Sequence, residues 1–259
     1  MTIRAILFDL GDTLWHHLSI PPPADLMAEA ARRAREVLAG WGMTPDAQLE
    51  RLAFDAYFTA QAAELEAYRT HLESPDPAAV VHSLAVERGV GLSLEQAREL
   101  WEACRPSGRF LSRTPFPDTA DTLRWVRERG YRLGVVTNTL FGGQPLRDEF
   151  VEEGLDGYVE VVVASCDVGY MKPHPSVFQP ALDALGVAPQ ETVMVGDSLR
   201  ADVGGAKALG MTAVWKRRAD AIAQAEMAWQ KAGLIPPFEP DYVIDSLWEV
   251  TRLPILNHD

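Results

Sequence analysis

Residues 3–14 read IRAILFDLGDTL, an apolar run that stops abruptly at Asp9, Gly11, Asp12 and Thr13. A short apolar run bounded by Asp, Gly and Thr is the pattern of a buried strand ending in a tight turn. Active sites of open parallel sheets gather at the carboxyl ends of strands, so the acids at 9 and 12 stand where chemistry is expected. Comparable runs recur at 131–136, 159–164, 192–195 and 212–215, and a last short strand is expected over DYVI at 241–244, with a closing helix from Ser246. Between them lie segments with helical spacing, 118–129, 175–185 and 202–209, each followed by the glycine that helix ends favour: Gly130, Gly186 and Gly210. Strand and helix alternate, which predicts an α/β protein with a Rossmann-like, doubly wound parallel sheet.

Residues 16–111 break that alternation, because they carry helical periodicity and almost no strand signal. Pro21, Pro22 and Pro23 precede a helix expected over 24–39, and 45–69, 77–88 and 93–104 read as three more. The expected organisation is an α/β core, 1–15 and 112–259, interrupted by an all-helical inserted domain, 16–111. The return crossing at 109–118 is polar and Pro-bearing, as suits a hinge.

Acidic residues outnumber basic ones, 37 to 24, for a formal charge of −13. Such a chain repels a polyphosphate backbone, so nucleic acid is not an expected partner. The densest basic cluster, Lys216-Arg217-Arg218, reads as a solvated loop after a strand. No apolar stretch is long enough to span a bilayer, and the first residues lack the pattern of a secretory signal. With only Cys104 and Cys166, far apart and without a paired motif, free thiols and a cytoplasmic setting are expected.

The residues that follow the strands form one constellation. Asp9 and Asp12 follow the first strand, Thr137 and Asn138 the second, Lys172 lies in a loop after the third, and Asp197, Ser198 and Asp202 follow the fourth. In a parallel sheet these loops open on one edge, and unpaired carboxylates crowded there would destabilise the fold. Oxygen ligands alone call for a hard divalent cation, Mg²⁺, with Lys172 adding positive charge. A cation and a lysine beside a hydroxyl and backbone amides make a receptor for a phosphoryl group.

This ordered set, Asp9-x-x-x-Thr13, then VVTN with Thr137, then MKPHP with Lys172, then GDSLRAD with Asp197 and Asp202, resembles the haloacid dehalogenase superfamily in its phosphatase branch with an inserted helical cap. The resemblance spans the chain and implies roles. Asp9 would be the nucleophile that forms an aspartyl-phosphate, and Asp197 would hold Mg²⁺ together with Asp9 and the Gly11 carbonyl. Thr13, Thr137 and the Asn138 amide would serve the phosphoryl oxygens, Lys172 would neutralise nucleophile and phosphate, and Asp202 would orient Lys172 or a metal-bound water. The implied substrate is a small phosphorylated metabolite, selected by the cap.

One position departs from the family pattern. Two residues after the nucleophile, where relatives carry a second aspartate that protonates the leaving group, this chain has Gly11, and Asp12 sits one place on. General acid–base assistance is commonly worth ~10²–10⁴ in rate. Asp12 is therefore a candidate replacement acid and equally a turn former. Three readings follow: a Mg²⁺-dependent phosphatase, a 2-haloacid dehalogenase that needs no leaving-group proton, and a catalytically quiet relative that binds a partner. His16 and His17, just beyond the motif, read as solvated hinge residues.

Overall fold

The computed structural model describes residues 2–17, 19, 21–218, 227, 228, 230–233 and 237–256, with the His17 side chain outside that set. The outer limits expected for the core, residues 1 and 259, thus lie outside the described residues. Strand β1 (Ala5–Phe8) turns into β2 (Trp15–His17). Helices α1 (Pro23–Gly40), α2 (Ala47–Glu50), α3 (Leu52–Arg69), α4 (Pro77–Glu87) and α5 (Leu94–Cys104) follow, then β3 (Arg113–Pro115). The chain continues as α6 (Thr119–Glu128), β4 (Arg132–Thr137), α7 (Gly143–Glu152), β5 (Val161–Ala164), α8 (Ser165–Val168) and α9 (Gln179–Leu185). It ends with β6 (Thr192–Gly196), α10 (Gly205–Leu209), β7 (Thr212–Lys216) and β8 (Tyr242–Ile244).

Six strands form one parallel sheet in the order β5-β4-β1-β6-β7-β8, and β2 and β3 form a separate two-stranded sheet. The central strand β1 is apolar throughout because both of its faces are covered, as parallel sheets require. Ile6 and Phe8 join Val135, Val195 and Val214 on one face and meet Leu123 and Val126 of α6 and Leu146 and Phe150 of α7. Ala5 and Leu7 join Val136, Met194 and Ala213 on the other, against Ala181, Leu182 and Leu185 of α9. Each buried Val, Leu or Phe contributes roughly 1.5–3 kcal/mol. In register, Ala5–Phe8 pairs with 132–135 on one side and 192–195 on the other, so β1, β4 and β6 start level and run toward the same edge, β4 ending at Thr137 and β6 at Gly196.

The chain divides into two compact units, Met1–His16 with Thr114–Asp259, and His17–Arg113. The second unit is helical, and its helix starts carry the local chemistry that helix starts need. Asp46 accepts from the Gln48 and Leu49 amides, Asp76 accepts from the Ala78 amide, and Ser93 and Gln96 form a reciprocal capping box. Within this unit Arg88 reaches Asp55 at 2.6 Å. Glu64 on α3 has an Oε1 that is buried and without a hydrogen-bond partner, and burial pushes its carboxyl up to about 7.

Several boundaries differ from expectation for identifiable reasons. The helix expected over 45–69 breaks at Arg51, where α2 ends and α3 begins. The segment 175–185 opens with a 3-10 turn, Pro175–Val177, started by His174, whose Nδ1 accepts from the Ser176 amide. The helix expected from Asp202 is preceded by a wide π-helical turn, Leu199–Gly204. The closing helix is 3-10, Leu247–Arg252. Helix α7 has no counterpart in the sequence reading; its first amide, of Gly143, donates to Asp167 Oδ2 at 2.7 Å, a partner supplied from α8. Cys104 and Cys166 are free. Among the described residues, no helix is long and apolar enough to cross a membrane.

Candidate active site

Asp9 is the first residue past β1, and its backbone amide donates to the Val195 carbonyl of β6 at 2.9 Å, so the sheet itself sets its position. Its carboxylate is held from two sides. Lys172 Nζ donates to Oδ1 at 2.6 Å, and Thr13 Oγ1 donates to Oδ2 at 3.1 Å. Thr13 Oγ1 also lies 3.4 Å from Asp197 Oδ1, so this hydroxyl stands between the two carboxylates.

Lys172 is 1% exposed, a burial that an ammonium tolerates only when its donors are satisfied. They are: the nitrogen reaches Asp9 Oδ1 and Asp202 Oδ1, both at 2.6 Å, and the Val136 carbonyl at 2.8 Å. Burial alone would depress this ammonium, but the charges of Asp202 and Asp9 hold it above the ordinary lysine value. Asn138 fixes the lysine from behind. Its Oδ1 accepts from the Lys172 amide at 2.7 Å and its Nδ2 donates to the Lys172 carbonyl at 3.1 Å, so the side chain clamps the loop. Thr137, the last residue of β4, is buried beside it in sequence.

The GDSLRAD segment supplies the remaining acids. Asp202 turns back toward its own loop, its Oδ2 accepting from the Ser198 amide at 2.9 Å, which accompanies the wide turn at Leu199–Gly204. Gly196 makes this possible: a Cβ there would sit 2.2 Å from Asp202 Cγ, a distance no side chain accepts. Asp197 is anchored through its carbonyl, which accepts from Trp215 Nε1 at 2.8 Å.

Asp9, Asp197 and Asp202 each present a carboxylate oxygen within 4.8 Å of the others. Burial, reinforced by Asp9 and Asp202, pushes the Asp197 carboxyl up to about 8 against the opposing pull of Arg218. Burial likewise raises Asp202 to about 6, although Lys172 pulls it down. Both directions have one physical origin: three buried acids share too little positive charge. An all-oxygen cluster short of cations fits a hard divalent ion, and Asp9, Asp197 and Asp202 are the residues that would hold it.

In the turn after Asp9, Gly11 and Asp12 differ in backbone and surroundings. Asp12 carries the left-handed backbone angle of the turn, φ 55, a region where Asp is tolerated among side chains. Gly11 needs no such freedom, and a Cβ there would meet nothing within 4 Å. Asp12 does turn toward the site edge, but its carboxylate is committed: Oδ2 pairs with Arg218 Nη1 at 2.6 Å, and its carbonyl accepts from Lys216 Nζ at 2.9 Å.

Lys216 and Arg218 correct the reading of the basic cluster as a solvated loop. Lys216 is 6% exposed, lies 3.9 Å over the Phe116 ring, and burial lowers its ammonium. Arg218 also reaches Asp197 Oδ2 at 2.9 Å. The signal that marks them is positional. Lys216 ends β7 and Arg218 follows it, at the same sheet edge as the other motifs, one strand further on. Only Arg217 behaves as a surface charge, paired with exposed Asp245. Trp15 packs edge-on against Phe150 in the core, and His16 stacks on Phe116.

Residues 3–210 match the model of the haloacid dehalogenase-like hydrolase family. The chain is 31% identical over 240 residues to a glyceraldehyde 3-phosphate phosphatase of Methanopyrus kandleri, covering 92% of this chain and 93% of that one. It is 34% identical over 232 residues to a phosphoserine phosphatase of Thermus thermophilus, covering 83% and 89%. Among solved structures, an HAD phosphatase from Thermococcus onnurineus matches with a TM-score of 0.52 at 28% identity, covering 96% of this chain and 97% of that one.

Proposed function

The chain belongs to the haloacid dehalogenase-like hydrolases and is a phosphoric monoester hydrolase among them; on that premise we propose a Mg²⁺-dependent phosphatase that cleaves a small phosphorylated metabolite through an aspartyl-phosphate on Asp9. The observation that carries this reading is the cluster of Asp9, Asp197 and Asp202 within 4.8 Å around Lys172.

Asp9 is poised as nucleophile because Lys172 and Thr13 each hold one of its oxygens and fix the carboxylate plane. Its attack forms an Asp9–phosphorus bond and breaks the ester P–O bond. Water then attacks the same phosphorus, freeing phosphate and restoring the carboxylate; two moderate barriers replace one high one. Lys172 offsets the negative charge that would otherwise keep a phosphate dianion away, with Thr137 and the Asn138 amide serving the phosphoryl oxygens. Asp9, Asp197 and Asp202, with the Gly11 carbonyl, would hold Mg²⁺, which when bound would supply charge neutralisation at the phosphoryl group. Asp202 acts through Lys172, which it holds at 2.6 Å.

With Gly11 in place of the second acid and Asp12 paired to Arg218, the leaving oxygen takes its proton from water. Substrates whose leaving groups are already acidic are then favoured. The helical unit is the cap that selects the metabolite, and free cysteines suit a cytoplasmic enzyme. The test is phosphate release from a panel of phosphorylated metabolites and an aryl phosphate, with Mg²⁺ and with chelator, and D9N as blank. Mg²⁺-dependent release supports the reading; no release from any member abandons it.

A further inference from the structure

The phosphatase reading uses Arg218 only to occupy Asp12 and gives no role to its second contact, Asp197. A single guanidinium nitrogen, Nη1, stands 2.6 Å from Asp12 Oδ2 and 2.9 Å from Asp197 Oδ2. Its side chain is 18% exposed, that of Asp197 13% and that of Asp12 37%, so the three descend from the solvent-facing turn toward the buried acids. The rest of the cluster has its own counter-ion, since Lys172 serves Asp9 and Asp202. Among the described residues the ion pairs of Asp197 comprise Arg218 alone.

We infer that Arg218 is a resident counter-ion of the metal ligand Asp197, which a divalent cation displaces, and that Asp12 is the partner that retains the guanidinium once it has been displaced. Two positive charges compete for one carboxylate. A guanidinium and a divalent cation both neutralise the same buried carboxylate, and each weakens the other's hold on it. A guanidinium displaced from Asp197 keeps its pair with Asp12, already at 2.6 Å. Lys216, donating to the Asp12 carbonyl, fixes the turn that presents this acid. On this account the aspartate at 12 has a role with no proton transfer in it. The inference rests on the proposed metal site and makes Arg218 a positioning residue, not a catalytic one.

The two partners are expected to act in opposite directions, which neither a simple scaffold nor an orienting contact produces. Calorimetric titration of the metal-free protein with Mg²⁺ reads the effect directly. R218Q is expected to bind Mg²⁺ about 10-fold more tightly, the scale on which outer partners of metal ligands act, and R218K to fall between R218Q and wild type. D12N is expected to bind about 3-fold more weakly, the size of a partly exposed ion pair, because Arg218 then stays on Asp197. The D12N/R218Q double variant should match R218Q alone, since Asp12 acts only through the guanidinium. Equal or weaker Mg²⁺ binding in R218Q, or effects of the same sign in R218Q and D12N, overturns the inference while leaving the metal site standing. A wild-type protein that binds no Mg²⁺ at millimolar concentration removes the metal site itself and the inference with it. Thermal melting of each variant checks that it is folded, and R218K keeps the test open if R218Q is not.

Discussion

In the α/β unit, Asp9 and Asp202 come from distant parts of the chain, yet both oxygens that face inward meet the same ammonium, whose third contact is the Val136 carbonyl. In the helical unit, Glu64 is half-buried, with one buried carboxyl oxygen unpartnered. A buried charge is costly unless it is paired, and removing one partner of a buried pair typically costs 3–5 kcal/mol. In the core the charge of Lys172 pulls Asp202 down against its burial, whereas burial alone acts on Glu64 and pushes it up to about 7. A buried carboxyl alone does not mark an active site; a cation shared between acids from distant parts of the chain does.

The largest expected effect tests the core side of this contrast. D9N removes the proposed nucleophile while keeping the shape, and turnover should fall by at least ~10⁴, read by steady-state phosphate release. Next is the shared cation. Lys172→Met leaves Asp9 and Asp202 facing each other, and denaturant unfolding at pH 7.5 should show a loss of about 3–5 kcal/mol. The loss should shrink at pH 5, where Asp202, raised to about 6, takes up a proton. An equal loss at both pH values would mean that packing, not charge, is what the lysine supplies.

Gly11→Asp fills open space and restores an acid two residues after the nucleophile. Turnover on alkyl phosphates should rise by up to ~10², with little change on aryl phosphates whose leaving groups need no proton. An equal rise on both would separate the gain from leaving-group protonation.

The smallest effect sharpens the helical side. The folded-state value of Glu64 is raised from 4.5 to about 7, so the folded protein binds more protons than the unfolded chain between those values. Stability therefore falls as pH rises through this window, and the penalty is complete above pH 7. Glu64→Gln removes it, and should stabilise the protein by about 2 kcal/mol at pH 8 and by little at pH 4, read from denaturant midpoints.

The sheet was legible because strands covered on both faces read as unbroken apolar runs, and the acids were legible because parallel strands of equal register deliver their next residues to one edge. Asp9 and Asp197 directly follow their strands, and the fold brings Lys172 and Asp202, several residues past theirs, into contact with them. Helix α7 was not legible, because its start depends on Asp167 from a later element. The wide turn before α10 was not, because Asp202 bends back to the Ser198 amide and to Lys172, contacts that no local propensity encodes. Arg218 was missed because a run of basic residues after a strand has the composition of solvated loops, and only the position of Asp197 and Asp12 gives it a different meaning.

Gly196 carries a final consequence. At that position a hydrogen in place of a methyl group is the only thing that lets Asp202 close over the strand end. An alanine there, chemically inert and remote from any reacting bond, would push the acid outward and strip Lys172 of one of its two carboxylates. Steric exclusion at one backbone atom thus governs the charge state of a centre several residues away, and any viable change at 196 must be matched by a shorter or repositioned side chain at 202.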